Sequence, residues 1–163
     1  MATAVAAAEG ERVLATAAGA QPVLLAGAPG GAPLRIVLAP PPAAGDRDLV
    51  QALQSAGPRD QFYLSLQGLR IERPVTAVFD VYFGLPAGAA PSPANPYYVG
   101  DFNFFDVQSG RKSAVFNVSD KVRALLGKEQ LSDQAVVTIV AKSEAGAAAR
   151  PSIGKVELLA VAP

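Results

Sequence analysis

The sequence predicts an all-β fold: an antiparallel β-sandwich or jelly roll with one short helix. Three observations carry that expectation. Apolar residues alternate with period two in several short runs, as at Phe62, Leu64 and Leu66 with Tyr63 and Ser65 between them. Breakers are frequent, with 15 Gly and 14 Pro in 163 residues, which cuts the chain into strand-sized pieces. A helical stripe is convincing in one place, at Val122, Leu125 and Leu126.

Residues 1–32 read as a flexible Ala/Gly-rich lead, and residues 33–163 as the sandwich domain. Gly27–Pro33 and Pro40–Gly45 are turn or linker stretches that isolate Leu34–Leu38, a short branched strand. Asp48–Leu53 makes one helical turn or a loop. Phe62–Gln67 is a strand. Pro74 limits the start of the next run, in which Val75, Ala77, Phe79, Val81 and Phe83 share one face and Thr76, Asp80 and Tyr82 the other. Pro86–Pro96 holds four prolines and Gly88 and reads as an exposed loop.

Tyr97–Val107 is extended, with Gly100 marking a bulge or a close approach. Gly110–Lys112 is a turn and Ser113–Val118 a strand. The helix follows, capped by Ser119 or Asp120 and stopped by Gly127 as the residue beyond its end. Ala135–Ala141 and Ile153–Ala160 close the chain as strands, with Ala145–Pro151 a loop of small residues.

Composition excludes several function classes. Lys+Arg and Asp+Glu are equal at 14 each, which argues against a nucleic-acid partner. No apolar run approaches the ~20 residues that span a bilayer, and no secretory signal is visible at the start. His and Cys are absent, which removes Ser-His-Asp and Cys-His nucleophiles, zinc and iron–sulfur sites and disulfides. Oxygen ligands alone remain, so a metal site would have to use a set such as Asp101, Asn103 and Asp106 for calcium. Asp80, Asp101 and Asp106 show no arrangement of paired carboxylates across a cleft. Gly27, Gly30 and Gly31 lack the Gly-Lys-Ser/Thr ending of a phosphate loop.

All seven Phe and four Tyr fall between Phe62 and Phe116. Phe102, Phe104, Phe105, Tyr97 and Tyr98 are ordinary core and cross-strand packing, or one or two of them project into a partner's pocket.

Several stretches of this aromatic half resemble one pattern. Val78-Phe79-Asp80-Val81-Tyr82 is similar to the "KFDVY" signature in the C-terminal domain of plant polyphenol oxidases and bacterial tyrosinases. Phe83-Gly84-Leu85-Pro86 and the proline-rich loop after it look like the bacterial form. Tyr98-Val99-Gly100-Asp101-Phe102-Asn103-Phe104-Phe105 resembles that domain's "YVGxxNFF" strand. Phe116–Asp120 with Leu125 and Leu126 resembles its strand-to-helix step. Val136–Val140, Ile153–Leu158 and Pro33–Leu38 look like its two closing strands and its first strand. The resemblance spans roughly residues 33–160.

The resemblance implies a non-catalytic jelly-roll domain that covers the dicopper site of an o-diphenol oxidase. In that family the catalytic domain holds the copper through six histidines. The implied partner here is a tyrosinase-type catalytic domain; the implied cofactor content of this chain is none, and by itself it is not an enzyme. A lid of this family puts a bulky side chain over the copper entrance. Leu85 and Phe105 are the candidate plugs, and Tyr97 and Tyr98 the candidate interface residues. The ordinary alternative for Leu85 is a loop residue packed on the sheet. The chain departs from the family in having no catalytic domain and in carrying Gln108–Lys112 where plant members have a His/Lys-rich stretch. A stand-alone β-sandwich that binds another protein is the alternative reading.

Overall fold

The computed structural model describes residues 11–24, 33–41, 48–72, 78–104, 113–128, 135–142 and 151–163. These contain β1 (Glu11–Leu24), β2 (Leu34–Leu38), α1 (Leu49–Gln54), β3 (Gln61–Gln67), β4 (Val78–Phe83) and β5 (Tyr98–Asn103). They continue with β6 (Ser113–Asn117), α2 (Ser119–Gly127), β7 (Ala135–Ala141) and β8 (Ser152–Val161). The strands form two antiparallel sheets of four, ordered β1-β8-β3-β6 and β2-β7-β4-β5.

Pairing explains that order. β1 lies beside β8, β2 beside β7, β3 beside β6 and β4 beside β5. The chain is therefore one nested hairpin whose apex is the connection from β4 to β5. Rolling the hairpin sets β3 against β8 and β4 against β7, which stitches each sheet together. This is jelly-roll connectivity, in agreement with the fold class read from the sequence.

The core lies between the sheets. Leu64 and Leu66 from β3 and Leu158 from β8 meet Phe79, Val81 and Phe83 from β4 and Val137 from β7, all fully or almost fully buried. Each such side chain contributes about 1.5–3 kcal/mol of burial. Phe79 stacks on Phe102 at 5.5 Å and meets Phe104 edge-on at 5.8 Å.

Three expectations are corrected. The first concerns the segment 1–32. Glu11–Leu24 forms β1 and pairs with β8 over most of its length, so this part is strand and not a loose lead. Alanine side chains carry almost no hydrophobic periodicity, yet their backbone joins the ladder like any other; Leu14 and Ala15 are buried in the core. Residues 1–10 and 25–32 lie outside the described residues.

The second narrows Asp48–Leu53, read as one helical turn or a loop, to the short helix α1. Asp48 and Gln51 form a capping box, with the Gln51 N–H donating to Asp48 Oδ1 at 2.7 Å and the Asp48 N–H to Gln51 Oε1 at 3.1 Å. Leu49, Ala52 and Leu53 then bury the face that holds α1 down. The third concerns the caps of α2. Val118 is its N-cap, and no side chain caps it. Gly127 is its last helical residue, with Lys128 following as C-cap.

β2 and β7 keep the limits read from the sequence, whereas the expected strand Tyr97–Val107 runs from Tyr98 to Asn103. Val75–Ala77, Phe105, Asp106, the 110–112 turn and Ala145–Arg150 lie outside the described residues.

Candidate functional site

The apex of the rolled hairpin is built by local rules. β4 ends at Phe83, and Gly84 turns the chain at a φ of 76°, a left-handed conformation that favours glycine. Its N–H donates to Val136 O at 2.9 Å. The return is set by Asn95, whose N–H donates to Ser92 O at 2.9 Å and whose Oδ1 accepts the Tyr97 N–H at 3.0 Å. The Phe83 N–H donates to Tyr97 O at 2.9 Å and locks the two arms.

Of the candidate plug residues, Leu85 is 3% exposed, tucked into its own chain. Its carbonyl accepts from Arg35 Nη1 at 3.3 Å, which ties the loop to β2. Phe105 lies outside the described residues. Tyr97, just before β5, and Tyr98, its first residue, are half-buried. The Tyr98 ring meets Tyr82 edge-on at 5.6 Å.

α2 packs against this apex. A Cβ on Gly84 would lie 2.6 Å from Leu125 Cδ1, so the turn and the helix are in direct contact. Between them runs a small solvent-open groove lined by Phe83, Pro96, Tyr97, Lys121, Ala124, Leu125 and Lys128.

The motif residues separate into two faces. Phe79, Val81, Phe102 and Phe104 belong to the core. Gly100 sits where the β4–β5 register shifts, and a Cβ there would lie 3.1 Å from Phe116 Cε1. Both readings of Gly100, as a bulge and as a close approach, are therefore met. Asp80 and Tyr82 face away from that core, opposite Asp101 and Tyr98 respectively. Alternation alone did not show that this second face is covered too: Asp80 is 6% exposed and Tyr82 1%.

Asp80 Oδ1 and Thr138 Oγ1, on neighbouring strands, are buried without a hydrogen-bond partner. Burial raises the Asp80 carboxyl above its ordinary value; Lys142 opposes this, Asp101 adds to it, and a hydrogen bond from Tyr98 stabilises the anion. The Tyr82 and Tyr98 phenols are raised by burial and then by the Asp80 charge. Asp101 itself is exposed and 3.9 Å from Lys142 Nζ.

This arrangement is not a hydrolytic pair. Asp80 and Asp101 lie side by side on one sheet face, not across a cleft. Among the described residues no group of three or more His, Cys, Asp or Glu could hold a metal ion. Asp101 and Asn103 are exposed, and Asp106 lies outside the described residues. A dicopper centre does not fit the residues of this chain, which contains neither imidazole nor thiol.

Sequence reasoning missed the groove and the buried Asp80–Thr138 cluster. Lys121 and Lys128 are seven residues apart, two helical turns, so their shared face was available from spacing. That Pro96 and Tyr97 lie opposite them was not, because that contact is set by the apex turn.

No curated protein matches this sequence. Solved structures do. Recombinantly expressed latent aurone synthase, a polyphenol oxidase, matches with a TM-score of 0.56 and 16% identity over 88% of this chain and 26% of its own. Latent apple tyrosinase matches with a TM-score of 0.52 and 18% identity over 87% of this chain and 28% of its own. This chain thus spans about a quarter of the length of those proteins, and at such identity the likeness shows the fold. One family matches almost throughout, over residues 13–160. The chain therefore belongs to the family described as Domain of unknown function (DUF7868), and its jelly roll is the fold also found within latent polyphenol oxidases.

Proposed function

We propose that this chain is the lid of a tyrosinase-type dicopper oxidase: a non-catalytic domain that docks over the entrance to the oxidase's active site and shields it. The observation that carries the reading is a mismatch of coverage. The jelly roll accounts for 80% of this chain but only 24% of one latent aurone synthase, and 87% but only 28% of latent apple tyrosinase. What the larger proteins possess beyond this unit is most of their length, and the lid reading assigns the chemistry to that remainder.

The residues present agree. Diphenol oxidation at copper needs imidazole ligands, and this chain has none to offer. Its contribution is shape. The "FDVY" strand leads into the apex; half-buried Tyr97 ends the apex turn, and half-buried Tyr98 begins the strand that leaves it. Of the two plug candidates, Leu85 would have to leave its burial to enter a partner's pocket.

The test is direct. The full chain is titrated into a matching copper oxidase that lacks its own lid, and diphenol turnover is followed. Turnover falls to a low plateau at one equivalent if the reading is right. Unchanged turnover at saturating chain rejects it. Leu85→Ala, Phe105→Ala, Tyr97→Ala and Tyr98→Ala then separate the plug from the interface: a plug variant docks without blocking, an interface variant docks poorly.

A further inference from the structure

We propose that the groove between α2 and the Pro96-Tyr97 turn is the seat for an acidic segment of the oxidase partner, bound in a polyproline-like conformation with two carboxylates three residues apart. This rests on the lid reading and names where the lid is held.

The groove has a fixed shape. Phe83 and Leu125 form a buried apolar floor, and Tyr97 and Pro96 form one wall. That wall is stiff: proline fixes its own φ, and Asn95 hydrogen-bonds the N–H groups of both Tyr97 and Tyr98. The other wall is the exposed side of α2, where Ala124 is small enough to leave the floor open.

Its charge has one sign. Among the described residues, the charged side chains lining it are Lys121 and Lys128, and no carboxylate lines it. The ion pairs among the described residues are Arg12–Asp60, Lys142–Asp101 and Lys155–Glu157, which leave both groove lysines without one. Two cations at the ends of an apolar trough call for two anions flanking an apolar side chain.

Spacing selects the conformation. Seven helical residues separate the two lysines by about 10 Å along α2. A polyproline helix advances about 9 Å in three residues and returns to the same face. Carboxylates at positions i and i+3 of such a segment reach both lysines while the residues between them lie on Tyr97 and Leu125. Aromatic walls are the usual partners of this conformation.

The probe is the peptide acetyl-Pro-Glu-Pro-Leu-Glu-Pro-amide, titrated into the full chain at low salt and followed by calorimetry or by amide shifts of α2. Binding is expected, with at least tenfold loss in the K121E/K128E double variant and in the milder K121Q/K128Q variant, and weaker binding in 0.5 M salt. No binding at 1 mM overturns the proposal, as does equal binding of the peptide with Lys in place of Glu. A second measurement uses the lid-free oxidase. K121E/K128E should dock at least tenfold more weakly than the unaltered chain; equal docking overturns the groove and leaves the lid standing. Peptide binding by a chain that never docks on the oxidase rejects the lid reading, and with it the oxidase as the source of the segment.

Discussion

Gly84 and Leu125 share one packing position: any side chain on the first would stand 2.6 Å from the Cδ1 of the second. Two costs follow for Gly84→Ala, a left-handed backbone with a Cβ and an overlap with a buried leucine. Together they should destabilise the chain by about 1–3 kcal/mol. Leu125→Ala alone should cost about 2–5 kcal/mol through the cavity it leaves. Because the new methyl enters that cavity, the double variant should be less destabilised than the sum by about 0.5 kcal/mol or more. Urea unfolding of the four proteins checks this. Simple additivity would mean that backbone strain acts alone and that turn and helix are not in contact.

Asp80 should make stability depend on pH in a direction opposite to that of a salt-bridged carboxylate. Its folded pKa lies above the ordinary 3.8 because burial penalises the anion. Between those two values the folded chain holds more protons than the unfolded one, so stability from this group rises as pH falls through the window. Above the folded pKa the anion is a net cost. Asp80→Asn, which keeps the shape and an acceptor for Tyr98, should therefore be more stable than the parent at neutral pH. The advantage should shrink on acidification and vanish below about pH 3.8. Urea midpoints between pH 3.5 and 8 give the result; a variant less stable at pH 7 would show that the Lys142 and Tyr98 contacts outweigh desolvation.

What the sequence revealed follows from where periodicity is strong. Leu34–Leu38 and Ala135–Ala141 are rich in branched residues, with Ile36, Leu38, Val137 and Ile139 turned into the core, and their limits are those of β2 and β7. β1 was hidden because Ala15, Ala17 and Ala18 signal no face, although the backbone pairs them with Leu158, Val156 and Lys155. Asp80 was assigned to the correct face of its strand, but a second covered side cannot be read from alternation within one strand. The groove was not read: α2 was found, but what faces its lysines depends on a turn made by Asn95.

Ser119 illustrates why a capping residue type does not always cap. Its hydroxyl accepts the Phe62 N–H at 2.8 Å and donates to Gln61 Oε1 at 3.1 Å, which joins the start of α2 to β3. Ser119→Ala should leave a buried N–H without a partner and cost about 1–3 kcal/mol. A lost helix cap would instead lower the protection of the α2 amides alone. Hydrogen exchange separates the two: the Phe62 amide of β3 should lose protection along with α2.

The turn from Gly57 to Asp60 is pinned from two sides, and the two pins should differ in weight. The Asp60 carboxylate accepts the Gly57 N–H at 2.9 Å and Arg12 Nη2 at 3.0 Å. From α2, Arg123 donates to the carbonyls of Pro58 and Asp60 at 3.1 and 2.7 Å, with its guanidinium 5.1 Å from the Phe62 ring. The Arg12 side chain is 46% exposed, so its ion pair is screened, and Arg12→Met should cost only about 0.2–1 kcal/mol. Asp60→Ala removes the acceptor for the Gly57 N–H as well and should cost about 1–3 kcal/mol. Raising salt to 1 M should erase most of the Arg12→Met deficit and little of the Asp60→Ala deficit. The smaller effect is the more telling one for the fold. Arg12 reaches Asp60 from β1, so a salt-sensitive loss on Arg12→Met requires that strand to be in place. A chain with a loose residue 11–24 segment would show no loss at any salt concentration.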